Sequence, residues 1–281
     1  MRLERLVARG YRNLADLDCE LPPSGVTILG ANGQGKTNLL EAIYYPVLFR
    51  SFRGSPDQQV MREDFGFQVE THISGATART IAVTCAGRRK RVTVDGDEVV
   101  RLAGFAGTWL AVAFVPADLG LASGAATERR RYLDRLLSLA NRAYLMALTR
   151  YRAALAQRNS ALRQGRTDVA QAFARDMVRS GAQLVRQRLE WVGRASAQFA
   201  GEFECLAERG AAQLRYWGRS DLADEGAWES AFSVALKEDR ARGITTVGPH
   251  RDDLRLEIDG RLLRDYGSTG QQRSAAVALK L

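Results

Sequence analysis

The residues best suited to chemistry lie at 30–37. Gly30, Ala31, Asn32, Gly33, Gln34, Gly35, Lys36 and Thr37 match the pattern G-x-x-x-x-G-K-[ST]. Glycines let a backbone curl until successive N–H groups point at one anion. A helix that starts at the end of such a loop adds its unpaired N–H groups and the positive end of its dipole. In this pattern the Lys36 ammonium reaches the terminal phosphates of a nucleotide and the Thr37 hydroxyl ligates Mg2+, with Asn38 in the same binding set. The required flanks are present. Val26-Thr27-Ile28-Leu29 reads as a strand, and Leu39, Leu40, Ile43 and Val47 place an apolar face on a helix over 37–48, which Pro46 bends or ends. The loop selects a nucleotide without saying which one. A GTPase would also carry D-x-x-G and N-K-x-D, and neither occurs. A kinase acting on a small molecule shares the loop and stays open.

Other residue groups invite chemical readings. His250, Asp252 and Asp253, in Gly-Pro-His-Arg-Asp-Asp-Leu, read as a metal or acid–base cluster or, equally, as a turn leading into a strand. Ser268, Thr269, Gly270, Gln271 and Gln272 read as an ordinary helix N-cap or as a hydroxyl-and-amide anion site. Asp118 imitates a Mg2+ carboxylate after the apolar run 109–115. Pro116 intervenes, however, and Asp118 stands three residues past the run, so it reads as a decoy. Cys19, Cys85 and Cys205 are far apart, and with only His72 and His250 as further soft ligands no zinc site has ordinary spacing. A reducing, cytoplasmic setting fits.

The elements that must position these groups fall into three blocks. Strands are expected over 2–11, 67–73, 80–85, 91–94 and 98–100, with Asp95-Gly96 as a tight turn, giving an antiparallel sheet. Residues 109–115 read as a buried strand. From 127 to 212 the period becomes helical. One helix runs through Tyr132, Leu133, Leu136, Leu137 and Leu139, another covers 144–162, Gly165 reverses the chain, and a third runs from 168 towards Glu208. A strand at 213–217, a helix at 228–240 and a strand at 254–258 follow. A helical block set between two α/β parts predicts one sheet built from both ends of the chain, and a division into 1–126, 127–212 and 213–281.

Composition narrows the class. Hydrophobic residues make up 46% of the 281, enough for a sizeable core. The start, MRLERLVARG, has no secretory signal pattern, and no apolar run is long enough to span a membrane. The formal charge is +9, and only four of the 41 basic residues are lysine. Between 129 and 215 there are 17 basic and 7 acidic residues, so the whole excess sits in the helical block. That block fits contacts to nucleic-acid phosphates, or a solvated arginine-rich helix face. No base-reading motif accompanies it. Tyr144, Tyr151, Phe173, Trp191 and Phe199 are spaced as core positions.

Taken together, GANGQGKTNLLEAIY from Gly30, YRNL from Tyr11, RRRYLD from Arg129, GPHRDDL from Gly248 and STGQQR from Ser268 resemble the RecF family over the whole chain and in order. These are SMC-like, ABC-type DNA-repair ATPases of bacteria. The resemblance implies an α/β fold: an ABC-type P-loop ATPase head with a mixed sheet and an inserted helical lobe. It implies ATP and Mg2+ as cofactors, and an ATP-dependent homodimer in which two heads sandwich ATP. Ser268, Thr269, Gly270, Gln271 and Gln272 would then be the signature motif that faces the other head's γ-phosphate. Arg12 and Asn13 resemble residues beside the nucleotide base or ribose.

Implied partners are single- and double-stranded DNA and the recombination mediator proteins that load the strand-exchange protein at gaps. The setting is the cytoplasm, in DNA replication, repair and the SOS response to DNA damage. ABC-type heads continue from the signature helix into an apolar strand ending in paired acids, the Walker B segment, and this sequence ends at Leu281 without it. The expectation is a C-terminally truncated chain with its catalytic residues unassigned. It would hydrolyse ATP poorly, where the complete protein would be a weak ATPase. A P-loop small-molecule kinase and a non-hydrolysing nucleotide-sensing scaffold are the alternatives.

Overall fold

The structure, a computed structural model, describes every residue except 63–65, 76, 101–104, 106–108 and 207–208. The chain forms two compact units, Met1–Ala113 and Phe114–Leu281. The helical block and the C-terminal strands therefore share one unit, instead of the three-part division expected from the sequence.

In the first unit, β1 (Arg2–Arg9), β2 (Leu17–Glu20), β3 (Phe67–Ser74), β4 (Arg79–Ala86), β5 (Arg89–Val94) and β6 (Asp97–Glu98) form one sheet in the order β2-β1-β3-β4-β5-β6. Every pairing in it is antiparallel. The alternation of β3 shows why: Phe67, Val69, Thr71 and Ile73 are buried, and the residues between them are half-exposed. Asp95 and Gly96 both take positive φ, 54° and 91°, as the tight turn after β5 requires. Helix α1 (Lys36–Leu48) packs on β3 and β4. Its Tyr45 meets Tyr11 and Phe67 edge-to-face, with centroids 6.0 and 5.1 Å away.

Two expected strands of this region do not form. Residues 26–29 and 109–115 join no ladder among the described residues. Leu29 is 86% exposed, while Trp109 is buried in the core of the first unit. β-forming side chains make a strand only where a neighbour completes the backbone hydrogen bonds. The face of α1 also differs from the expected one. Glu41, Ala42, Tyr45, Pro46 and Val47 are buried, whereas Leu40 is exposed. Pro46 does not end α1, which runs two residues further to Leu48.

The second unit opens with α2 (Gly120–Ser123), α3 (Ala126–Ala140), α4 (Arg142–Arg163) and α5 (Thr167–Cys205). Asn141 separates α3 from α4. Its side chain accepts from the N–H groups of Ala143 and Tyr144, capping α4. Gly165, at φ 70°, reverses the chain between α4 and α5. The end expected for the third helix, Glu208, lies outside the described residues. Then follow β7 (Ala212–Trp217), α6 (Ala227–Arg242), β8 (Asp253–Ile258), β9 (Arg261–Leu262), α7 (Leu263–Tyr266) and α8 (Thr269–Ala278). β7, β8 and β9 make a separate antiparallel sheet. Each sheet thus draws on one unit, and the expected sheet shared by both ends of the chain is not formed among the described strands. Tyr144, Tyr151 and Phe199 are core residues, as their spacing predicts. Among the described residues no helix is long and apolar enough to cross a membrane.

Candidate functional site

Three glycines set the path of the loop at 30–37. Gly30, Gly33 and Gly35 take φ of 156°, 85° and 92°, a region where a side chain brings strain. Gly35 is also the N-cap of α1, and no side chain caps that helix. The first-turn N–H groups are therefore left for another acceptor. No acidic side chain sits in that turn to neutralise the helix's positive end. Lys36 Nζ donates to Gly30 O at 2.6 Å and to Ala31 O at 2.7 Å, which ties the ammonium to the loop itself. Residues 30–34 and Thr37 are exposed.

Asn13 braces this loop. Its Nδ2 donates to Gly33 O at 3.0 Å, and its Oδ1 accepts from Asn38 Nδ2 at 2.6 Å. Arg53 donates in turn to Asn38 Oδ1 at 2.9 Å. A Cβ on Gly35 would come within 2.9 Å of Asn13 Oδ1 and 3.0 Å of Leu14 Cδ2. Arg12 is turned to a different task. Its Nε and Nη2 donate to the two carboxylate oxygens of Glu41 at 2.6 and 2.9 Å, and Nη2 also reaches Ser55 Oγ at 3.0 Å. The Ser51 hydroxyl donates to the same carboxylate, which is fully buried. The hydrogen bond to Glu41 holds the Arg12 guanidinium above its usual pKa. The structure thus brings Asn13 to the loop and fixes Arg12 to α1. Glu41 escaped the sequence reading because a glutamate on a helix ordinarily faces water.

In the second unit, Ser268 is the N-cap of α8. Its Oγ accepts from Gln271 N at 3.1 Å, and Gln271 Oε1 accepts from Ser268 N at 3.0 Å, a reciprocal capping box. Gln272 folds back, donating to Gly267 O at 3.2 Å and Leu263 O at 3.3 Å. Thr269 and Gly270 are exposed.

His250, Asp252 and Asp253 are tied into the fold. His250 Nε2 donates to Thr245 O at 2.9 Å, so Nδ1 is the acceptor for the Tyr151 hydroxyl at 2.7 Å. Burial pushes the His250 pKa down to about 4, and the ring is neutral. Asp252 accepts from the Tyr216 hydroxyl, and burial pushes its pKa up to about 6. Asp253 accepts from Arg129 through both oxygens, at 2.8 and 2.9 Å. No group of three metal-ligating side chains gathers among the described residues. Asp118 accepts from Lys280 at 2.6 Å and from Val115 N at 2.7 Å, which makes it a brace within the second unit.

Part of the basic excess is internal. Arg188 is buried and donates to Asp134 at 2.7 Å, to the Tyr144 hydroxyl at 2.9 Å and to Pro249 O at 2.6 Å. Arg158 donates to Thr245 Oγ1 at 2.6 Å and pairs with Asp239 at 2.7 Å. With Arg129 they are withdrawn from the surface. Arg150, Arg163, Arg175, Arg179, Arg186 and Arg194 remain exposed on α4 and α5.

No family profile matches the chain. Along its whole length it is 35% identical to the DNA replication and repair protein RecF of Anaeromyxobacter sp. strain Fw109-5, over 294 residues and 79% of that protein. The chain belongs to the RecF family. RecF of Salinibacter ruber is also 35% identical, with the whole of this chain covering 73% of it. The solved structure of the recombination mediator protein RecF-ATP in the RecFOR pathway matches this RecF-family chain with a TM-score of 0.90 and 27% identity, over 99% of this chain and 79% of that one. An Smc head bound to the C-winged helix domain of ScpA matches with a TM-score of 0.53 at 15% identity, over 99% of this chain and 74% of that one. The second likeness concerns the fold alone: the α/β fold of ABC-type ATPase heads.

Proposed function

We propose that this RecF-family chain is the nucleotide-binding head of an ATP-dependent DNA-binding protein of recombinational repair. The observation that carries the reading is the loop at 30–37. Its three positive-φ glycines, its uncapped helix start and its tethered Lys36 suit a triphosphate. Residues 30–38 would hold ATP, with Lys36 on its terminal phosphates and Thr37 on Mg2+. Mg2+ would supply charge neutralisation at those phosphates. Asn13 contributes by fixing the loop backbone through Gly33.

Ser268, Thr269, Gly270, Gln271 and Gln272 would meet the nucleotide held by a second copy, so that ATP joins two heads. The capping box pre-forms the start of α8 for that contact. The exposed arginines of α4 and α5 would bind phosphates of single- and double-stranded DNA, and hydrolysis would release the pair. Recombination mediator proteins that load the strand-exchange protein at gaps are the partners this reading supports, in the cytoplasm.

Analytical ultracentrifugation with and without ATP tests the reading. The parent chain should dimerise with ATP, and Lys36→Ala should abolish that dimer. A persisting ATP-induced dimer in Lys36→Ala would refute the loop's role. Ser268→Arg should keep ATP binding by one head and lose pairing. Loss of binding by the monomer itself would rule out the contact between copies.

A further inference from the structure

The sheet β7-β8-β9 has one face in the core of the second unit. Leu214, Leu254 and Leu256 are buried there. The alternation of a strand puts Arg215 and Trp217 on the opposite face, and the pairing sets Arg255 directly across from Arg215 and Asp253 across from Trp217. Like charges set opposite one another in a ladder are destabilising, yet here two arginines meet. The Arg255 guanidinium lies against the Trp217 indole, and the indole is still 56% exposed. A large aromatic left this open on a charged surface calls for a partner.

Two cavities flank this stack, and both include Trp217, Arg251 and Arg255. One, of about 670 Å³, is completed by Arg215, Arg219, Gly218, Gly248 and neighbouring residues. The other, of about 230 Å³, adds Arg264 and Leu262. The acids nearby are already engaged. Asp252 accepts from Tyr216, Asp253 is held by Arg129, and Glu257 lies 3.5 Å from Arg215. The Arg251 side chain forms no ion pair or hydrogen bond among the described residues, and the Arg255 side chain has only the indole. The face therefore offers net positive charge beside an open π-surface.

We propose that the outer face of the β7–β8 sheet is a binding site for single-stranded nucleic acid, with an unstacked base on Trp217 and its flanking phosphates on Arg251, Arg255 and Arg215. An antiparallel sheet that presents an aromatic ring with basic neighbours is a recurrent way to hold unpaired bases. A duplex keeps its bases stacked and offers no ring to the indole. An acidic peptide would satisfy the arginines but would leave the exposed indole without a planar ring to stack on it. The site lies outside the arginine-rich helices α4 and α5 and would add a preference for unpaired strands to their phosphate contacts. The proposal rests on the nucleic-acid reading above.

Fluorescence anisotropy on the whole chain, with labelled oligothymidine and with blunt duplex, tests it. Trp217→Ala should weaken oligothymidine binding about tenfold and leave duplex binding within about twofold. Trp217→Phe should restore most of the loss. Arg251→Ala should lower the salt slope for oligothymidine by about one. Equal oligothymidine affinity for the parent and Trp217→Ala, with duplex binding intact, would overturn this site and leave the wider reading standing. A labelled Asp/Glu-rich peptide that binds the parent more tightly than oligothymidine, and loses affinity in Trp217→Ala, would assign the face to a protein partner and overturn it too. Binding of neither oligothymidine nor duplex by the parent would overturn both readings.

Discussion

The loop at 30–37 and the buried charge cluster of the second unit hold polar groups by opposite means. The loop is eight consecutive residues, mostly exposed, whose proposed working parts are backbone N–H groups, Lys36 and Thr37. The cluster gathers Asp134 from α3, Tyr144 and Arg152 from α4, Arg188 from α5, Tyr216 from β7 and Asp252 from the turn before β8. Chemistry that is local in sequence survives small changes in packing. Chemistry assembled from five places exists only once the unit has folded. Substitutions in the loop should therefore remove ligand binding and spare stability, and substitutions in the cluster should do the reverse.

Arg188→Ala gives the largest effect. It strands Asp134 as a buried, partly paired charge and leaves Pro249 O without its donor, at a cost of about 3–5 kcal/mol in unfolding free energy. Lys36→Ala in the same denaturant melts should shift stability by less than about 0.5 kcal/mol. Comparable losses in the two variants would break the comparison.

A pH series sharpens it. His250 takes a proton near its ordinary value of 6.5 when unfolded and only near 4 when folded, so the stability it lends above pH 6.5 is lost as pH falls towards 4. Asp252 runs the other way. Its pKa rises from 3.8 to about 6 on folding, so stability is gained as pH falls from 6 towards 3.8. In the parent chain the two largely cancel. Asp252→Asn removes the second and exposes the first. Between pH 7 and pH 4.5 the variant should lose about 2 kcal/mol more than the parent in urea melts. Parallel pH profiles would show that the two groups are not set against each other.

A loss smaller than those of the charge cluster concerns a residue for which both kinds of chemistry are proposed. Ser268→Ala removes the cap of α8 and should cost about 1 kcal/mol by thermal melting. If the ATP-dependent dimer survives that change, the hydroxyl serves the helix alone.

Much of the fold could be read from local pattern. The loop, the long helices on either side of Gly165 and the alternating strands β3 to β5 follow from spacing that belongs to each segment. What could not be read depends on partners. Residues 26–29 and 109–115 carry strand-forming side chains but meet no ladder. β2, Leu-Asp-Cys-Glu, carries little pattern and becomes a strand because β1 pairs with it. Arg12 lies beside Asn13, yet one holds the loop and the other a carboxylate 29 residues away. Arg129, Arg158 and Arg188 counted as surface charge until the fold buried them. The sequence near Ser268 admitted a cap and a ligand contact together, and the capping box shows that the first is present.

Helix α5 is an unbroken rod of 39 residues, about 58 Å long. It packs against α8, and its Gln198 donates to the carbonyl of Leu281, just beyond the end of α8. From Gln198 to the Gly165 bend the rod extends about 45 Å. If α8 rocked the rod by about 5°, the bend would sweep through about 4 Å, so a small tilt where α5 meets α8 would become a wide excursion at the far tip.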